Sequence, residues 1–309
     1  MLGESLNENT MIINEKIVGL TDQQLKSYID DGYLVVPDLI SMDELQELKT
    51  EITDIVRRQK LNLGGNQNNE ELTDSEISQR ILAINSPHYV SKIIHGMIEH
   101  PKVCSVLSQV VSAHLTHGTG NVKCMYSILF NKPPEFQGQA WHQDESYIPS
   151  RDRSLTAANI AIDDATIENG CLWVVPGSHK SGYMYPVAPH GQMDEYDFND
   201  ESYDFDDSEK IAVEMKAGSV VFFNGYLLHK SFKNRSNVYR RSLVTHYMSS
   251  ESLSPWMGAE TGEPVARADN RRIVHVAGTD PYIWKGYEEL GTDTAIRMCS
   301  AALQKTKQQ

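Results

Sequence analysis

The sequence lacks long hydrophobic runs and clustered cysteines. No apolar stretch approaches the ~20 residues of a membrane-spanning helix, which predicts a protein without membrane spans. The four cysteines are widely spread and form no C-x-x-C pair, so we expect reduced thiols rather than a disulfide framework or zinc site. The first twenty residues lack the basic and apolar regions of a secretory signal, and the last five carry no peroxisomal or retention address. These absences predict a cytoplasmic location.

Positive charge is also scarce. The chain has 28 Lys and Arg against 42 Asp and Glu, and its formal net charge of -14 argues against a nucleic-acid-binding surface. We therefore expect no nucleic-acid partner, and nothing in the sequence indicates an oligomeric state. Nine of the acidic residues lie in 194–209, within a polar stretch, 186–210, that separates two apolar runs. This stretch is predicted to be too polar to pack and to form either a flexible insert or a lid.

Helical signals dominate the first part of the chain. Two capping-box pairs, Thr21 with Gln24 and Ser41 with Glu44, each predict the start of a helix. A third helical region is predicted over 89–111, with an interruption near its proline. Together these signals predict a helical N-terminal section from about residue 20 to residue 112.

After Val122 the pattern changes to short apolar or alternating runs separated by Pro, Gly and Asx turns. The runs are VKCMYSILF, LTAANIAI, CLWVV, IAVEM, SVVFF and SLVTHYM. They predict an all-β sandwich or barrel, mainly β with flanking helices, over about 120–250. A C-terminal extension over 250–309 is expected to add a strand near 273–277 and one more helix. Without a repeat or a linker, we expect 1–309 to form a single domain.

One stretch, QAWHQDESYIP at 139–149, places a histidine two residues before an aspartate. In an extended segment these side chains, His142 and Asp144, would point to the same face. They would supply two of the three ligands of the 2-His-1-carboxylate triad of non-haem Fe(II) oxygenases. By itself, His-x-Asp is more often a surface pair.

The candidate for a third ligand is His229, at the end of AGSVVFFNGYLLHKS. Its apolar neighbours also fit a buried core imidazole that is bonded to a backbone carbonyl. The histidine of the PGSH turn, His179, is expected to be structural. Arg240 and Arg241 begin an apolar alternating strand, where a buried guanidinium would need an anion such as a carboxylate. One of these two arginines is expected at the surface.

Four segments together resemble the phytanoyl-CoA dioxygenase family of Fe(II)- and 2-oxoglutarate-dependent oxygenases. They are DGYLVVPDLIS, MYSILFNKPPEFQGQAWHQD, IAIDDATIENGCLWVVPGSHKSG and AGSVVFFNGYLLHKS with YRRS, within about 31–249. The resemblance implies a double-stranded β-helix (jelly-roll, cupin-like) core. It implies Fe(2+), 2-oxoglutarate and O2 as cofactor and cosubstrates, with ascorbate as a candidate reductant. It places the metal triad on His142, Asp144 and His229, and the arginine that binds 2-oxoglutarate on Arg240.

The same resemblance implies further contacts with 2-oxoglutarate. It assigns them to Lys92 in SKIIH, Met125 in the MY strand and Ser231 two residues after the distal histidine. Asn159 stands where some members have tryptophan, and it is expected to face the same cosubstrate.

The resemblance implies hydroxylation of a small molecule with release of succinate and CO2. Glu145 and Tyr147, just beyond the first two ligands, are candidates for the substrate pocket. Three alternatives remain open: an acyl-CoA 2-hydroxylase of the phytanoyl-CoA type, a non-catalytic metal-binding cupin-like protein, and a zinc hydrolase that uses the same triad. Halogenation is not expected, because related halogenases replace the carboxylate ligand with a small residue.

Overall fold

In the part of the chain that the structure describes, five α-helices form a layer that covers the β-core. They are α1 (Asp22–Asp31), α2 (Met42–Arg58), α3 (Asp74–Arg80), α4 (Lys92–Ile98) and α5 (Pro101–Val110). Both predicted capping boxes form, at Thr21 and at Ser41. The predicted helical region 89–111 is divided into α4 and α5 because Pro101, which has no N–H to donate, occupies the first turn of α5.

The computed structural model describes residues 19–60, 63, 71–115, 118–150, 152–254, 269–292 and 294–298. Much of the predicted C-terminal extension, 255–268 and 299–309, lies outside the described residues. No helix in the described part of the chain combines the length and the apolar character that crossing a membrane requires.

Fourteen strands are present within these described ranges. They are β1 (Tyr33–Val36), β2 (Ile81–Asn85), β3 (Val122–Lys132), β4 (Gln139–His142), β5 (Thr156–Ala161), β6 (Leu172–Val174), β7 (Val187–Ala188), β8 (Glu201–Ser202), β9 (Ile211–Val213), β10 (Val220–Asn224), β11 (His229–Ser231), β12 (Arg240–Ser249), β13 (Val274–Ala277) and β14 (Ala295–Met298).

The strands form two main antiparallel sheets. The larger runs β1-β10-β5-β12-β3-β2-β14 with β13 paired to β3, and the smaller runs β4-β11-β6-β9. A separate pair, β7 and β8, lies in the acidic stretch. Antiparallel sheets with few helices confirm the predicted fold class, and the jelly-roll core is the one that the resemblance implied.

The larger sheet is buried on both faces, which explains why its central strands have almost no polar alternation. On β5 and β10, Ala158, Ile160 and Phe222 pack into the core beneath the helices. Their neighbours Ala157 and Phe223 point the other way and pack with residues of the smaller sheet. This second core forms the floor between the two sheets, and the cavity described below opens beside it.

In the tail, β14 pairs with β2 at the edge of the larger sheet. The helix expected in the tail stays a prediction, because 255–268 and 299–309 lie outside the described residues. One expectation about the periphery is wrong. The stretch 186–210 was predicted to be too polar to pack, yet Tyr196 within it is buried. Around it, the amide of Gly138 donates to the carbonyl of Glu195 at 2.8 Å, and the amide of Asp197 donates to the Gly138 carbonyl at 2.9 Å. Backbone hydrogen bonds therefore join the acidic stretch to the barrel beside β4.

Substitution of Gly138 tests how closely the backbone before β4 must approach β11. A Cβ added there would lie 1.8 Å from the carbonyl oxygen of Ser231, so β11 would have to move. We expect Gly138→Ala to lower the free energy of unfolding by about 2 kcal/mol or more, measured by chemical and thermal denaturation. The matched control is Gly96→Ala in α4, where an added Cβ meets nothing within 4 Å. That change should be neutral or stabilise by up to ~1 kcal/mol. Equal stability of the two variants would contradict the prediction.

Candidate metal centre

His142, Asp144 and His229 meet at one point inside the barrel, and all three are buried. The Nε2 atoms of His142 and His229 lie 3.6 Å and 3.5 Å from Oδ1 of Asp144. One ligand atom from each residue lies within 4.8 Å of the other two. The structure thus brings together the three residues that the sequence singled out.

Strand pairing places the two imidazoles side by side. His142 ends β4 and His229 begins β11, and the two residues are direct partners in the antiparallel register. Gln143 keeps an extended backbone, with φ -123° and ψ 127°, before a short 3-10 turn begins at Asp144. The alternation expected of an extended segment therefore turns the carboxylate to the face that carries His142.

Each imidazole is oriented by a hydrogen bond on its far side. Nδ1 of His142 donates to the carbonyl of Ala140 at 2.8 Å, and Nδ1 of His229 donates to that of Leu227 at 2.9 Å. Because a carbonyl can only accept, each Nδ1 carries a proton, so Nε2 is the nitrogen whose lone pair an imidazole in its neutral form offers toward Asp144. Burial, with the neighbouring His229, lowers the pKa of His142 to about 3, so this ring is neutral near pH 7.

This arrangement fits a divalent cation. Two nitrogen lone pairs facing a carboxylate repel one another unless a positive charge lies between them. The set of two imidazoles and one carboxylate is that of non-haem Fe(II) sites. The alternative for His229, a core imidazole bonded to a carbonyl, describes only its Nδ1 and leaves its Nε2 facing Asp144.

Asp144 is held from its other side by a histidine that the sequence analysis did not identify. Nε2 of His246, on β12, donates to Oδ2 of Asp144 at 3.0 Å, and His246 is itself buried. Burial acts to raise the pKa of Asp144, but the hydrogen bond from His246 opposes it, and the pKa of this carboxyl is held well below its usual range. His246 lies an even number of residues after Arg240 on β12, so both side chains point to the same face of the strand. This spacing could have identified His246 from the sequence.

The two adjacent arginines have different environments. Arg241 forms a fork with Asp163, through Nε at 2.6 Å and Nη2 at 2.9 Å. Arg240 faces the interior, where its Nη1 donates to Ser242 at 3.2 Å and its buried Nε finds no partner among the described residues. Burial lowers the pKa of Arg240 to about 10, so it remains charged near pH 7.

A cavity of about 350 Å³ opens from the triad toward the edge of the barrel. Of the other predicted site residues, Arg240, Ser231, Asn159 and Tyr147 line it. Its apolar lining, called the apolar wall below, consists of Leu82, Ile128, Phe130, Ile148, Leu172 and Val244. The cavity thus has a charged inner end and an apolar wall.

Three predicted site residues are not brought to this cavity. Lys92 is exposed at the start of α4, because the apolar face of that helix packs inward. Met125 is out of phase with Tyr126 and Ile128, which face the cavity, and it packs against Leu155 and Met248 instead. Glu145 is buried away from the cavity and accepts a hydrogen bond from the Ser150 hydroxyl at 2.9 Å. Burial raises its pKa to about 7.

The cavity also includes charged residues that the sequence analysis missed. Lys132 ends β3 in phase with Ile128 and Phe130, so the alternation of this strand could have identified it. Asp197 comes from the acidic stretch and Arg297 from β14, and Nη1 of Arg297 lies 3.5 Å from Oδ2 of Asp197. Neither of these segments has a periodic pattern that would predict its position.

The sequence is similar to a known protein family. The family model described as "Phytanoyl-CoA dioxygenase (PhyH)" matches residues 28–242. A phytanoyl-CoA dioxygenase of Arabidopsis thaliana is 28% identical over 259 residues, which covers 75% of this chain and 90% of the relative. A peroxisomal phytanoyl-CoA dioxygenase of Rattus norvegicus is 30% identical over 261 residues, which covers 80% of this chain and 74% of the relative.

Solved structures resemble the chain in fold. EvdO2 from Micromonospora carbonacea var. aurantiaca, complexed with 2-oxoglutarate, has a TM-score of 0.56 at 21% identity and covers 82% of this chain and 99% of its own. The epimerase SnoN, in complex with Fe3+, alpha ketoglutarate and nogalamycin RO, has a TM-score of 0.57 at 17% identity. That match covers 83% of this chain and 95% of SnoN.

His246 offers a test of the centre. We expect His246→Phe, which keeps a ring but loses the donor to Asp144, to weaken divalent-metal binding roughly 10- to 100-fold. Titration calorimetry with Co(2+), which does not oxidise during the measurement, would give the dissociation constant. The control is His88→Phe, because His88 is equally buried but bonds Ser127 away from the cavity. The control should lose stability and keep metal affinity. Unchanged affinity in His246→Phe would contradict the role assigned to this hydrogen bond.

Proposed function

The chain belongs to the phytanoyl-CoA dioxygenase (PhyH) family of Fe(II)- and 2-oxoglutarate-dependent oxygenases, and we propose that it hydroxylates a small molecule. The overall reaction converts R–H, 2-oxoglutarate and O2 into R–OH, succinate and CO2. One oxygen atom of O2 enters the substrate and the other enters succinate, so atoms balance without a further reductant.

The observation that carries this proposal is the pair of imidazole lone pairs facing one buried carboxylate. His142 and His229, through Nε2, and Asp144, through Oδ1, would hold the iron. When bound, iron with its 2-oxo acid and O2 supplies the oxidising chemistry. The protein holds these ligands in place before the metal arrives, through the two carbonyl contacts and His246.

Arg240 would bind the distal carboxylate of 2-oxoglutarate. Its guanidinium is partly buried, its Nε is buried without a hydrogen-bond partner, and it has no carboxylate partner among the described residues; it lines the same cavity as the triad. A buried charge of this kind is costly until an anion pairs with it. The planar fork would fix the orientation of the cosubstrate and direct its 2-oxo acid end toward the metal.

The outer part of the cavity would hold the substrate. Its apolar wall would exclude water from the reacting carbon, while Tyr147, Asp197, Asn199 and Arg297 provide polar contacts toward the exit. The acidic stretch that contributes Asp197 would repel a polyanion. These features favour a small substrate that does not carry several phosphates.

A binding experiment tests the site without knowledge of the substrate. Fe(II) and then 2-oxoglutarate are added to the metal-free protein under anaerobic conditions, and the visible spectrum is recorded. We expect a metal-to-ligand charge-transfer band that is absent in His229→Ala. A wild-type protein that binds Fe(II) yet never shows the band would contradict the proposed cosubstrate.

The adjacent arginines provide a matched pair for the same titration. Arg240→Gln should weaken 2-oxoglutarate binding about 100-fold, because loss of a buried charged partner costs roughly 2 to 5 kcal/mol. Arg241→Gln should leave this affinity unchanged, since Arg241 is engaged with Asp163. If both variants bind equally well, the assignment of Arg240 is wrong.

The second candidate substrate is an acyl-CoA thioester, which is favoured by the names of the curated relatives. We expect phytanoyl-CoA not to accelerate succinate release from 2-oxoglutarate, because the acidic stretch repels its phosphates. Succinate formation is measured with and without the thioester at low and high salt. Acceleration that depends on the thioester would establish this second candidate in place of the first.

A further inference from the structure

Lys132 is a buried cation at the inner end of the cavity. It is the last residue of β3 and the direct partner of Arg240 in the antiparallel register with β12. Both side chains line the cavity, and only 2% of Lys132 is exposed. Like charges on directly opposed residues of two strands destabilise a sheet. The pair therefore calls for a compensating anion.

The contacts of Lys132 are all neutral. Its Nζ donates to the carbonyl of Phe232, and it lies 3.4 Å from both the carbonyl of Gly170 and Oγ of Ser231. Among the described residues, no carboxylate oxygen lies within 4.0 Å of either Lys132 or Arg240. The acidic residue Glu195 acts on Lys132 only from a longer distance and forms its own ion pair with Arg235.

The surrounding backbone makes room for this ammonium group. Gly170 has φ +80°, and a Cβ there would lie 2.6 Å from Nζ of Lys132 and 2.3 Å from the carbonyl oxygen of Phe232. Any side chain at Gly170 would displace the lysine. Burial, with the charge of Arg240, holds the pKa of Lys132 well below its usual range, as expected for a cation that lacks a counterion.

We propose that Lys132 is a second cationic ligand for the distal carboxylate of 2-oxoglutarate, opposite Arg240. This inference rests on the proposed function. The carboxylate would lie between the planar fork of Arg240 and the point charge of Lys132, with the hydroxyl of Ser231 beside it. Three donors from β3, β11 and β12 would then select a 2-oxo acid that has a second carboxylate at the correct distance.

The test compares two 2-oxo acids of equal length in the anaerobic Fe(II) titration. The first is 2-oxoglutarate, and the second is 2-oxopentanoate, which has a methyl group where 2-oxoglutarate has its distal carboxylate. We expect Lys132→Gln, which keeps a hydrogen-bond donor but removes the charge, to weaken 2-oxoglutarate binding roughly 10- to 100-fold. Binding of 2-oxopentanoate should not change.

A purely structural role for Lys132 predicts a different result. If the lysine only holds the carbonyls of Gly170 and Phe232, its loss should weaken both acids equally, and this outcome would overturn the inference. Unchanged affinity for 2-oxoglutarate would overturn it as well. Lys132→Met, measured in parallel with melting curves, serves if Lys132→Gln does not fold, and the same selective loss is expected.

A double-variant cycle adds a second measurement. Because Lys132 and Arg240 would contact one carboxylate, Lys132→Gln combined with Arg240→Gln should lose less affinity than the product of the two single losses. Independent losses would contradict a shared ligand. Failure of the proposed function is recognised separately, because the wild-type protein would then show no charge-transfer band with either acid.

Discussion

Two imidazole lone pairs held against one buried carboxylate are the central physical constraint in this fold. The protein maintains this repulsive arrangement through strand pairing and backbone carbonyls, since β4 and β11 fix the spacing and Ala140 and Leu227 fix the rotation of the rings. Holding these ligands together costs stability in the metal-free protein, and the binding of a divalent cation would offset that cost. A site of this kind links folding to metal supply.

Charges of opposite sign are separated along the cavity that begins at the triad. Asp144 is surrounded by histidines, while Arg240 and Lys132 lie further along the same cavity on neighbouring strands of the larger sheet. Negative charge is therefore concentrated where a metal would bind, and positive charge where a carboxylate would bind. Such a separation predicts the orientation of a ligand that chelates at one end and carries an anion at the other.

Sequence patterns predicted the parts of the molecule that depend on local rules. Capping boxes predicted the starts of α1 and α2, short apolar or alternating runs predicted the β-core, and the two-residue spacing of His142 and Asp144 predicted that they share one face. Lys92 and Met125 do not line the cavity, because the resemblance supplied residue types without their phase on helix and strand. Asp197 and Arg297 reach the cavity through long-range packing of irregular segments, which no periodicity encodes. The tail strand β14 likewise depends on the exposed edge of β2, a tertiary feature.

Asp197 and Arg297, which line the cavity, come from segments other than the strands that carry the triad. Arg297 belongs to a strand beyond the residues that the family model matches, and its partner Asp197 comes from a stretch joined to the barrel at Gly138. Neither segment carries a residue of the triad, which lies on β4, on β11 and in the turn after β4. Under the proposed function, the residues that would contact a substrate near the exit therefore belong to different segments from those that would hold the metal.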